Sequence, residues 1–235
     1  MRNTTRKTTE KEMPGTLRVF EIFRSLQGES SLAGRPCVFV RLAGCPLDCA
    51  WCDTPEAKPE NSGKELSLDD IVATVERSGM GLVEVTGGEP LIQKNTPELC
   101  RLLLDAGYDV MVETNGAEDI SRLPAAVRRI MDCKCPSSGM AERTLPSNFD
   151  NLGPLDEVKF AILDHRDYRY ALSMIGKHGL DKKAGDISFS PVALRYEKGC
   201  DPAELAEWMI RDGAAAVLRP QLHKIIWPRG EPRRL

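Results

Sequence analysis

Three cysteines lie close together in the segment GCPLDCAWCDT, and their spacing limits the chemistry that they could support. Cys45, Cys49 and Cys52 form the pattern CxxxCxxC, which places three soft thiolates on one tight loop. A structural zinc site takes four protein ligands, usually as two separated pairs. A four-iron cluster held by three cysteines keeps one iron open, and an open metal position can bind a reactant. The spacing therefore favours a redox cluster, with structural zinc as the alternative.

A second polar motif, TGGEP at residues 86–90, follows an apolar run. Its two glycines, Gly87 and Gly88, would let the backbone approach a ligand closely. Glu89 could accept a hydrogen bond from an ammonium group. The alternative interpretation is a tight turn that leaves a strand.

Several further residues have both a functional and a structural interpretation. The segment LQGE (Leu26, Gln27, Gly28, Glu29) could read the edge of a heterocycle or form an ordinary turn. Arg41 lies in the apolar run VFVRLAG, where a charge is costly unless it is paired, so it is either part of an ion pair or an anion ligand. The hydroxyl of Thr54 could cap a turn or bind a hard cation such as magnesium, and the sequence alone favours the cap.

The remaining cysteines and histidines point less strongly to a site. Cys133 and Cys135 are too few for an auxiliary cluster, although they raise the question of a fourth ligand. Cys37, Cys100 and Cys200 are isolated and are predicted to be small core residues. Among the three histidines, His223 in PQLHKIIWP is of more interest than His165 and His178, which we expect at the surface.

Composition narrows the class of protein. The chain has 235 residues, 41% of them hydrophobic, which suits one domain with a sizeable core. The net charge of −3 gives no positive field that would attract nucleic acid. No apolar run approaches the roughly 20 residues of a membrane span. The eight cysteines, with no signal peptide, fit a reducing cytoplasm better than a disulfide framework. We expect residues 1–15 to be a disordered lead-in and residues 16–235 to form a single domain.

The pattern of apolar residues predicts alternating strands and helices. Strands are expected at residues 17–23, 37–42, 82–86, 109–113, 130–134, 157–162, 187–190 and 215–218. Helices are expected at residues 68–77, 97–106, 165–177 and 202–211, with Ser67, Thr96 and Asp201 as caps. Residues 61–64 and 137–154 are expected to be loops.

This alternation predicts an α/β fold with a mostly parallel sheet. The chain is short for eight complete strand–helix units, which need about 250 residues, so the expected architecture is an incomplete barrel with abbreviated helices. In such folds the chemistry gathers at the carboxyl ends of the strands. The cysteine loop, TGGEP, ETNG (residues 113–116), Lys134 and Ser190 all follow or end predicted strands. We therefore expect them on one rim.

CxxxCxxC followed by TGGEP resembles the signatures of the radical S-adenosylmethionine (SAM) superfamily. Further segments narrow the resemblance: FEIFRSLQGES, VFVRLAGCPLDCAWCDT, VTGGEP, VETNG, DCKCPSS, DEVKF and PQLHKIIWP occur in this order from Phe20 onwards. Together they closely resemble the 7-carboxy-7-deazaguanine synthase family, often called QueE. One departure is QGES, with Ser30 where glycine is common.

The resemblance implies a distorted, incomplete barrel of the radical SAM type and a homodimer. It also implies a lyase that converts 6-carboxy-5,6,7,8-tetrahydropterin to 7-carboxy-7-deazaguanine with loss of ammonia, on the route to 7-deazapurine nucleosides such as queuosine. The implied cofactors are a 4Fe-4S cluster, SAM and Mg²⁺, and the implied electron donor is a flavodoxin or ferredoxin. No nucleic-acid or membrane partner is implied.

The site roles implied by the resemblance fall on specific positions. Cys45, Cys49 and Cys52 would hold the cluster, and Thr54 would bind Mg²⁺, against the cap favoured by the sequence alone. Contacts with SAM are implied for Trp51, Cys52, Asp53, Gly88, Asp132, Cys133, Lys134 and Ser190. Contacts with the pterin are implied for Leu26, Gln27, Gly28, Glu29, Arg41 and Thr86. The radical is carried by the cofactor, so no side-chain acid or base is assigned.

Two other functions share part of the pattern. A glycyl-radical activating enzyme would have the cluster and TGGEP but would act on a partner protein. The presence of LQGE, Arg41 and Thr54 argues against this function. A zinc-binding interaction module would carry zinc and no iron. The number of polar motifs at strand ends disfavours this non-enzymatic alternative.

Overall fold

The fold is built on a ten-stranded sheet. A computed structural model describes residues 15–193, 199–227 and 233–234. The strands are β1 (Thr16–Leu26), β2 (Pro36–Leu42), β3 (Lys64–Ser67), β4 (Leu82–Gly87), β5 (Asp109–Thr114), β6 (Arg128–Asp132), β7 (Glu157–Ile162), β8 (Asp186–Pro191), β9 (Val217–Leu218) and β10 (Arg233–Arg234). Their order is β10-β1-β2-β4-β5-β6-β7-β8-β9, with β3 paired to β1. β2 and β4 to β9 are parallel, whereas β1 is antiparallel to its neighbours.

Within the described ranges the sheet does not close into a barrel, which confirms the predicted incomplete architecture. The helices are α1 (Leu68–Arg77), α2 (Thr96–Asp105), α3 (His165–His178), α4 (Leu180–Lys183), α5 (Pro202–Asp212) and α6 (Leu222–Ile226). The connections β5–β6 and β6–β7 contain 3₁₀ turns in place of α-helices, so the helical layer is abbreviated as expected. Among the described residues, no helix is long and apolar enough to cross a membrane.

The main core lies between the helices and one face of the sheet, which we call the outer face. Alternate residues of β2, such as Val38 and Val40, point into this core, and Val83 and Val85 of β4 do the same. Apolar residues of the helices cover them, including Ile71 of α1. Cys100 lies in the same core, and Cys37 is buried on the opposite face, which confirms their prediction as small core residues.

The opposite face, which we call the inner face, has a different composition. Its lower part is a small apolar cluster that includes Phe39, Leu82, Met111 and Ile130. Towards the carboxyl ends of the strands the inner face becomes charged. The residues there are Arg41, Glu84, Thr86, Glu113, Asp132, Lys159 and Ser190. Because successive residues of a strand point to opposite faces, an apolar outer row and a polar inner row arise from one alternating sequence.

The local signals predicted most element boundaries to within two residues, whereas α4, α6, β3 and β10 were not predicted. Ser67 caps α1 by accepting from the backbone N–H of Asp70, and Asp201 caps α5. The cap assigned to Thr96 was wrong: Asn95 is the cap residue, and the Thr96 hydroxyl donates instead to the carbonyl oxygen of Pro90 (2.6 Å). Residue 64, placed in a loop, begins β3, and the loop predicted at residues 137–154 contains short 3₁₀ turns.

One prediction concerns residues that lie mostly outside the described part of the chain. Of the lead-in predicted at residues 1–15, only Gly15 is described, and its carbonyl oxygen accepts from the backbone N–H of Leu68.

Candidate active site

The three motif cysteines lie on the loop that follows β2, at the carboxyl edge of the sheet. Backbone hydrogen bonds fix this loop: the N–H of Gly44 donates to Ala57 (2.9 Å) and that of Cys45 to Lys58 (3.0 Å). Cys45 and Cys49 are half-buried and Cys52 is exposed. Three thiols therefore stand together on a fixed loop that remains open to solvent on one side.

The TGGEP motif lies directly on this cysteine loop. The backbone N–H of Glu89 donates to the carbonyl oxygen of Gly44 (2.8 Å), and that of Gly88 donates to Leu42 (3.2 Å). A Cβ on Gly88 would lie 2.2 Å from the oxygen of Gly44 and 2.8 Å from the Cβ of Cys45. Glycine is therefore required by the close approach of the two loops, and a backbone cradle results beside the thiols.

Glu89 has a different environment from the one suggested by the sequence. It is fully buried, and its carboxylate accepts from the backbone N–H of Leu91 (3.0 Å), the hydroxyl of Thr114 (2.8 Å) and the backbone N–H of Asn115 (2.7 Å). Burial raises the pKa of Glu89 to about 7, although these three donors act in the opposite direction. The carboxylate thus ties TGGEP to ETNG, and it is enclosed by protein donors where an ammonium ligand was expected.

Asn115 is a residue of the site that sequence reasoning did not single out, although it lies in the ETNG motif. Its side-chain amide donates to the Sγ of Cys45 (3.7 Å). Burial raises the pKa of the Cys45 and Cys49 thiols, and at Cys49 the ammonium of Lys134 acts in the opposite direction. A bound metal would displace the thiol protons, and donors around the sulfurs would tune its potential.

The inner face of β6 contributes to the site next to the thiols. Asp132 accepts from the Nζ of Lys134 (2.9 Å) through Oδ2, and its other oxygen is buried without a hydrogen-bond partner among the described residues. The side chain of Cys133 points to the outer core, so only its backbone could serve a cofactor. Ser190 is also buried on the inner face.

The loop after β1 carries LQGE across the inner face. The Gln27 side chain is buried; its Nε2 donates to Glu84 (3.2 Å), and its Oε1 accepts from the backbone N–H groups of Glu29 (2.9 Å) and Ser30 (2.8 Å). Gln27 therefore shapes the loop from within. Ser30 is buried as well, and its hydroxyl accepts from the backbone of Leu32, which explains how serine fits this turn.

Glu29 is held by residues from distant parts of the chain. Its carboxylate accepts from the Nζ of Lys159 (2.7 Å) and the Nε2 of Gln221 (2.8 Å). Burial acts to raise the pKa of Glu29, but the charge and hydrogen bond of Lys159, together with His223, lower it, and the pKa lies below its usual range. Glu29 is consequently an ionised acceptor, and a carboxylate has room for further donors beyond these two.

The helix α6 packs on the same loop. The backbone N–H of Leu222 donates to the oxygen of Gly28 (3.0 Å), and a Cβ on Gly28 would lie 2.5 Å from the Nδ1 of His223. Ligand atoms of Glu29, Asp53 and His223 lie within 4.8 Å of one another. The structure therefore places LQGE, Asp53 at the end of the cysteine loop, and α6 next to one another.

Other residues assigned from the sequence lie around this junction. Trp51, Thr54 and Leu26 are half-buried, and Asp53 is exposed. The Thr54 hydroxyl makes no capping hydrogen bond to the following turn and donates to Asp53 (3.2 Å), so the cap favoured by the sequence was wrong. Thr86 is buried on β4, and its hydroxyl lies 3.4 Å from the carboxylate of Glu113.

Arg41 forms an ion pair, one of its two predicted alternatives. Its Nε donates to Glu21 on the adjacent strand (3.0 Å), and its guanidinium lies over the ring of Phe23 at 5.5 Å. The Arg41 side chain is 18% exposed, so part of it remains accessible to solvent.

Comparison with known proteins agrees with this arrangement. Residues 40–140 match the model of the radical SAM superfamily. The chain is 41% identical over 222 residues to the 7-carboxy-7-deazaguanine synthase of Koribacter versatilis (strain Ellin345), covering 90% of this chain and 97% of the relative. It is 42% identical over 214 residues to that of Chlorobaculum tepidum, covering 90% and 94%. The chain belongs to the 7-carboxy-7-deazaguanine synthase family.

The solved structure of QueE from Escherichia coli is similar to this chain, with a TM-score of 0.71 and 26% identity over 88% of this chain and 95% of QueE. Membership of a radical SAM family implies a 4Fe-4S cluster and SAM as cofactors. The observed donors fit them: three thiols stand beside a glycine cradle and a buried carboxylate oxygen of Asp132 that has no hydrogen-bond partner in the described part of the chain. The glycyl-radical activase and the zinc module are not favoured by these relatives.

Proposed function

We propose that this chain is a radical SAM lyase that converts 6-carboxy-5,6,7,8-tetrahydropterin to 7-carboxy-7-deazaguanine with loss of ammonia. The observation that carries the proposal is the ionised carboxylate of Glu29. It accepts a hydrogen bond from Lys159 and lies within 4.8 Å of the carboxylate of Asp53, at the end of the cysteine loop. A carboxylate in this position suits the N–H donors on the amino-pyrimidinone edge of a pterin. A small-molecule substrate of this kind fits a cavity lined by fixed polar groups.

Cys45, Cys49 and Cys52 would hold the cluster. The cluster and SAM, when bound, supply the one-electron chemistry that removes a hydrogen atom from an unactivated carbon. The side chains or backbone of Trp51, Cys52, Asp53, Gly88, Asp132, Cys133, Lys134 and Ser190 would bind SAM. The cradle at Gly88 would orient its polar end beside the thiols, and the buried walls of the inner face would keep water away from the reacting carbon.

Leu26, Gln27, Gly28, Glu29, Arg41 and Thr86 would bind the pterin. Their roles in this proposal differ. Glu29 would accept from the heterocycle, the guanidinium of Arg41 would attract the substrate carboxylate, and Gln27 would act by holding the loop that presents Glu29. The protein would thus contribute mainly by positioning the ring next to the cofactor.

We further propose that Thr54 binds Mg²⁺. Its hydroxyl is turned towards the carboxylate of Asp53, and magnesium prefers oxygen ligands of this type. A cation there would neutralise the substrate carboxylate and fix its orientation. The activity of Thr54→Ala would then need more added Mg²⁺ than the wild type for half-maximal rate.

A homodimer and a flavodoxin or ferredoxin donor complete the proposal. Consecutive exposed apolar side chains at the end of α6 support the dimer: Ile225 is 65%, Ile226 43% and Trp227 36% exposed, and an apolar patch of neighbouring side chains is often covered by a partner. We retain residues 16–235 as one domain in this proposal. Sedimentation of the reconstituted protein measures the dimer directly.

Anaerobic turnover tests the function. The protein is reconstituted with iron and sulfide and supplied with reductant, SAM, Mg²⁺ and the carboxytetrahydropterin, and product is followed by mass spectrometry. We expect 7-carboxy-7-deazaguanine from the wild type and none from Cys49→Ala. Formation of 5′-deoxyadenosine without this product would retain the radical chemistry and reject the substrate. Full turnover by Cys49→Ala would reject the cluster assignment.

A matched pair of variants tests the substrate site. Glu29→Gln keeps the shape of the side chain but removes its charge, and we expect the KM for the pterin to rise. Glu142→Gln changes a glutamate outside the site in the same way and should behave as the wild type. Equal KM values for the two variants would contradict the role of Glu29.

A further inference from the structure

Lys159 is a buried lysine to which neither the sequence nor the proposed chemistry assigns a role. It lies on the inner face of β7, between Val158 and Phe160, which point into the outer core. The side chain is 6% exposed. A buried ammonium is costly unless it is paired, so its partners indicate what it does.

The Nζ of Lys159 has carboxylate partners from three separate elements. It lies 2.7 Å from an oxygen of Glu29 in the loop after β1 and 3.3 Å from Oδ2 of Asp132 on β6. It also contacts the carboxylate of Glu113 on β5. Two of the three N–H donors of the ammonium group bond to Glu29 and Glu113, and Asp132 pairs with it by charge. Lys159 is therefore engaged mainly by carboxylates of the protein, which suits a residue that holds them in place.

Each of these three carboxylates lies in a different part of the site. Glu29 stands where the proposed function places the heterocycle edge. Glu113 lies 3.4 Å from the hydroxyl of Thr86, another proposed substrate contact. Asp132 has its second oxygen buried without a partner among the described residues, on the strand that ends beside the cysteine loop. One ammonium group thus joins Glu29 and the neighbour of Thr86, on the proposed substrate side of the site, to Asp132 on the cofactor side.

We propose that Lys159 is a positioning residue that fixes the carboxylates of Glu29, Glu113 and Asp132 at set separations. The pterin edge and the cofactor would then be held at the distance that hydrogen transfer requires. This proposal rests on the proposed function for the identity of the substrate. The clamp itself, which consists of Lys159 and its three carboxylate partners, rests on the geometry alone.

Two variants of Lys159 separate charge from shape. In Lys159→Met the three carboxylates lose their shared counter-charge, and we expect a roughly 100-fold weaker binding of the pterin, the usual scale for breaking a buried charge pair. Product formed per SAM cleaved should also fall, because the ring is no longer held next to the cofactor. Lys159→Arg keeps the charge and should recover a large part of both. A role in folding alone would lower kcat and cofactor binding with no such rescue.

The experiment measures pterin binding by anaerobic calorimetry, the KM and kcat of turnover, and the ratio of product to 5′-deoxyadenosine. Lys183→Met is the matched control, since Lys183 pairs with the exposed Asp150 away from the site. We expect it to behave as the wild type. Pterin affinity and coupling in Lys159→Met equal to those of Lys183→Met would overturn the proposal.

A double-mutant cycle tests the clamp by stability alone. Its result does not depend on the proposed function, and it can be interpreted even if the single variants fold less well. Glu29→Gln and Lys159→Met are combined, and thermal unfolding is measured without ligand. We expect the double variant to be more stable than the sum of the single effects predicts, because it leaves fewer uncompensated charges. Additive effects would overturn the clamp whether or not the pterin is the substrate. A non-additive cycle in a wild type that does not convert the pterin would retain the clamp and reject the function.

Discussion

Replacing Gly88 with alanine tests whether the TGGEP loop must lie directly on the cysteine loop. The added Cβ would lie 2.2 Å from the oxygen of Gly44 and 2.8 Å from the Cβ of Cys45. The first of these atoms belongs to the backbone, and Cys45 is fixed by its own backbone hydrogen bond, so neither can move aside like a flexible side-chain end. One loop has to shift, and overpacking of this kind costs about 1–3 kcal/mol. For a chain of this size, about 2 kcal/mol corresponds to a fall of roughly 4–8 °C in Tm.

Gly81 provides the matched control because it precedes the same strand, β4, and nothing lies within 4 Å of a Cβ added there. Iron-free Gly88→Ala should show the lower Tm, and after reconstitution it should bind SAM more weakly in calorimetry. Gly81→Ala should match the wild type in both measurements. The same Tm and the same SAM affinity in the two variants would refute the argument that the cradle depends on this contact.

Three further predictions concern Glu89, Asn115 and the cysteines. The pKa of Glu89 is raised from 4.5 to about 7. Its contribution to the free energy of unfolding is therefore complete below pH 4.5 and is lost as the pH rises through 7. In iron-free protein, Glu89→Gln should remove this decline in the free energy of unfolding. Asn115→Ala should retain the cluster but lower its reduction potential in a spectroscopic titration, because a hydrogen bond to Cys45 is lost; an unchanged potential would contradict this role. Cys100→Ala should retain the iron content of the wild type, whereas Cys45→Ala and Cys49→Ala should lose the cluster; iron loss in Cys100→Ala would show that the assignment of ligands is incomplete.

Local signals in the sequence were sufficient for much of the fold. The strand predicted at residues 157–162 coincides with β7, and the helix predicted at residues 68–77 coincides with α1. In both segments the apolar residues recur with a clear period, and the helix also has a side-chain cap. β3 was missed because KELS has little intrinsic preference for a strand. It forms because it pairs with β1, which is a tertiary effect.

The site was predictable as a set of motifs but not as a set of contacts. The parallel sheet brings the carboxyl-end motifs to one rim, as topology requires. The partners of Glu29 lie 130 and 192 residues away along the chain, so no spacing rule could reveal them. One signal was present and unused: in β7, Glu157 and Lys159 occupy alternate positions beside apolar neighbours. Charges at every second position of such a strand indicate a polar cavity on one face.

The arrangement of the residues around Glu29 divides the chain into parts with different tasks. The stretch shared with the radical SAM superfamily, residues 40–140, contains the cysteine loop and TGGEP. Glu29 precedes this stretch, and its donors Lys159 and Gln221 follow it. Under the proposed roles, the middle of the chain holds the cluster ligands and the substrate contacts Arg41 and Thr86, whereas the flanks supply Glu29 and the donors that fix it. A change in the molecule recognised would therefore require variation in the flanks together with these two positions, with the cysteine loop left intact.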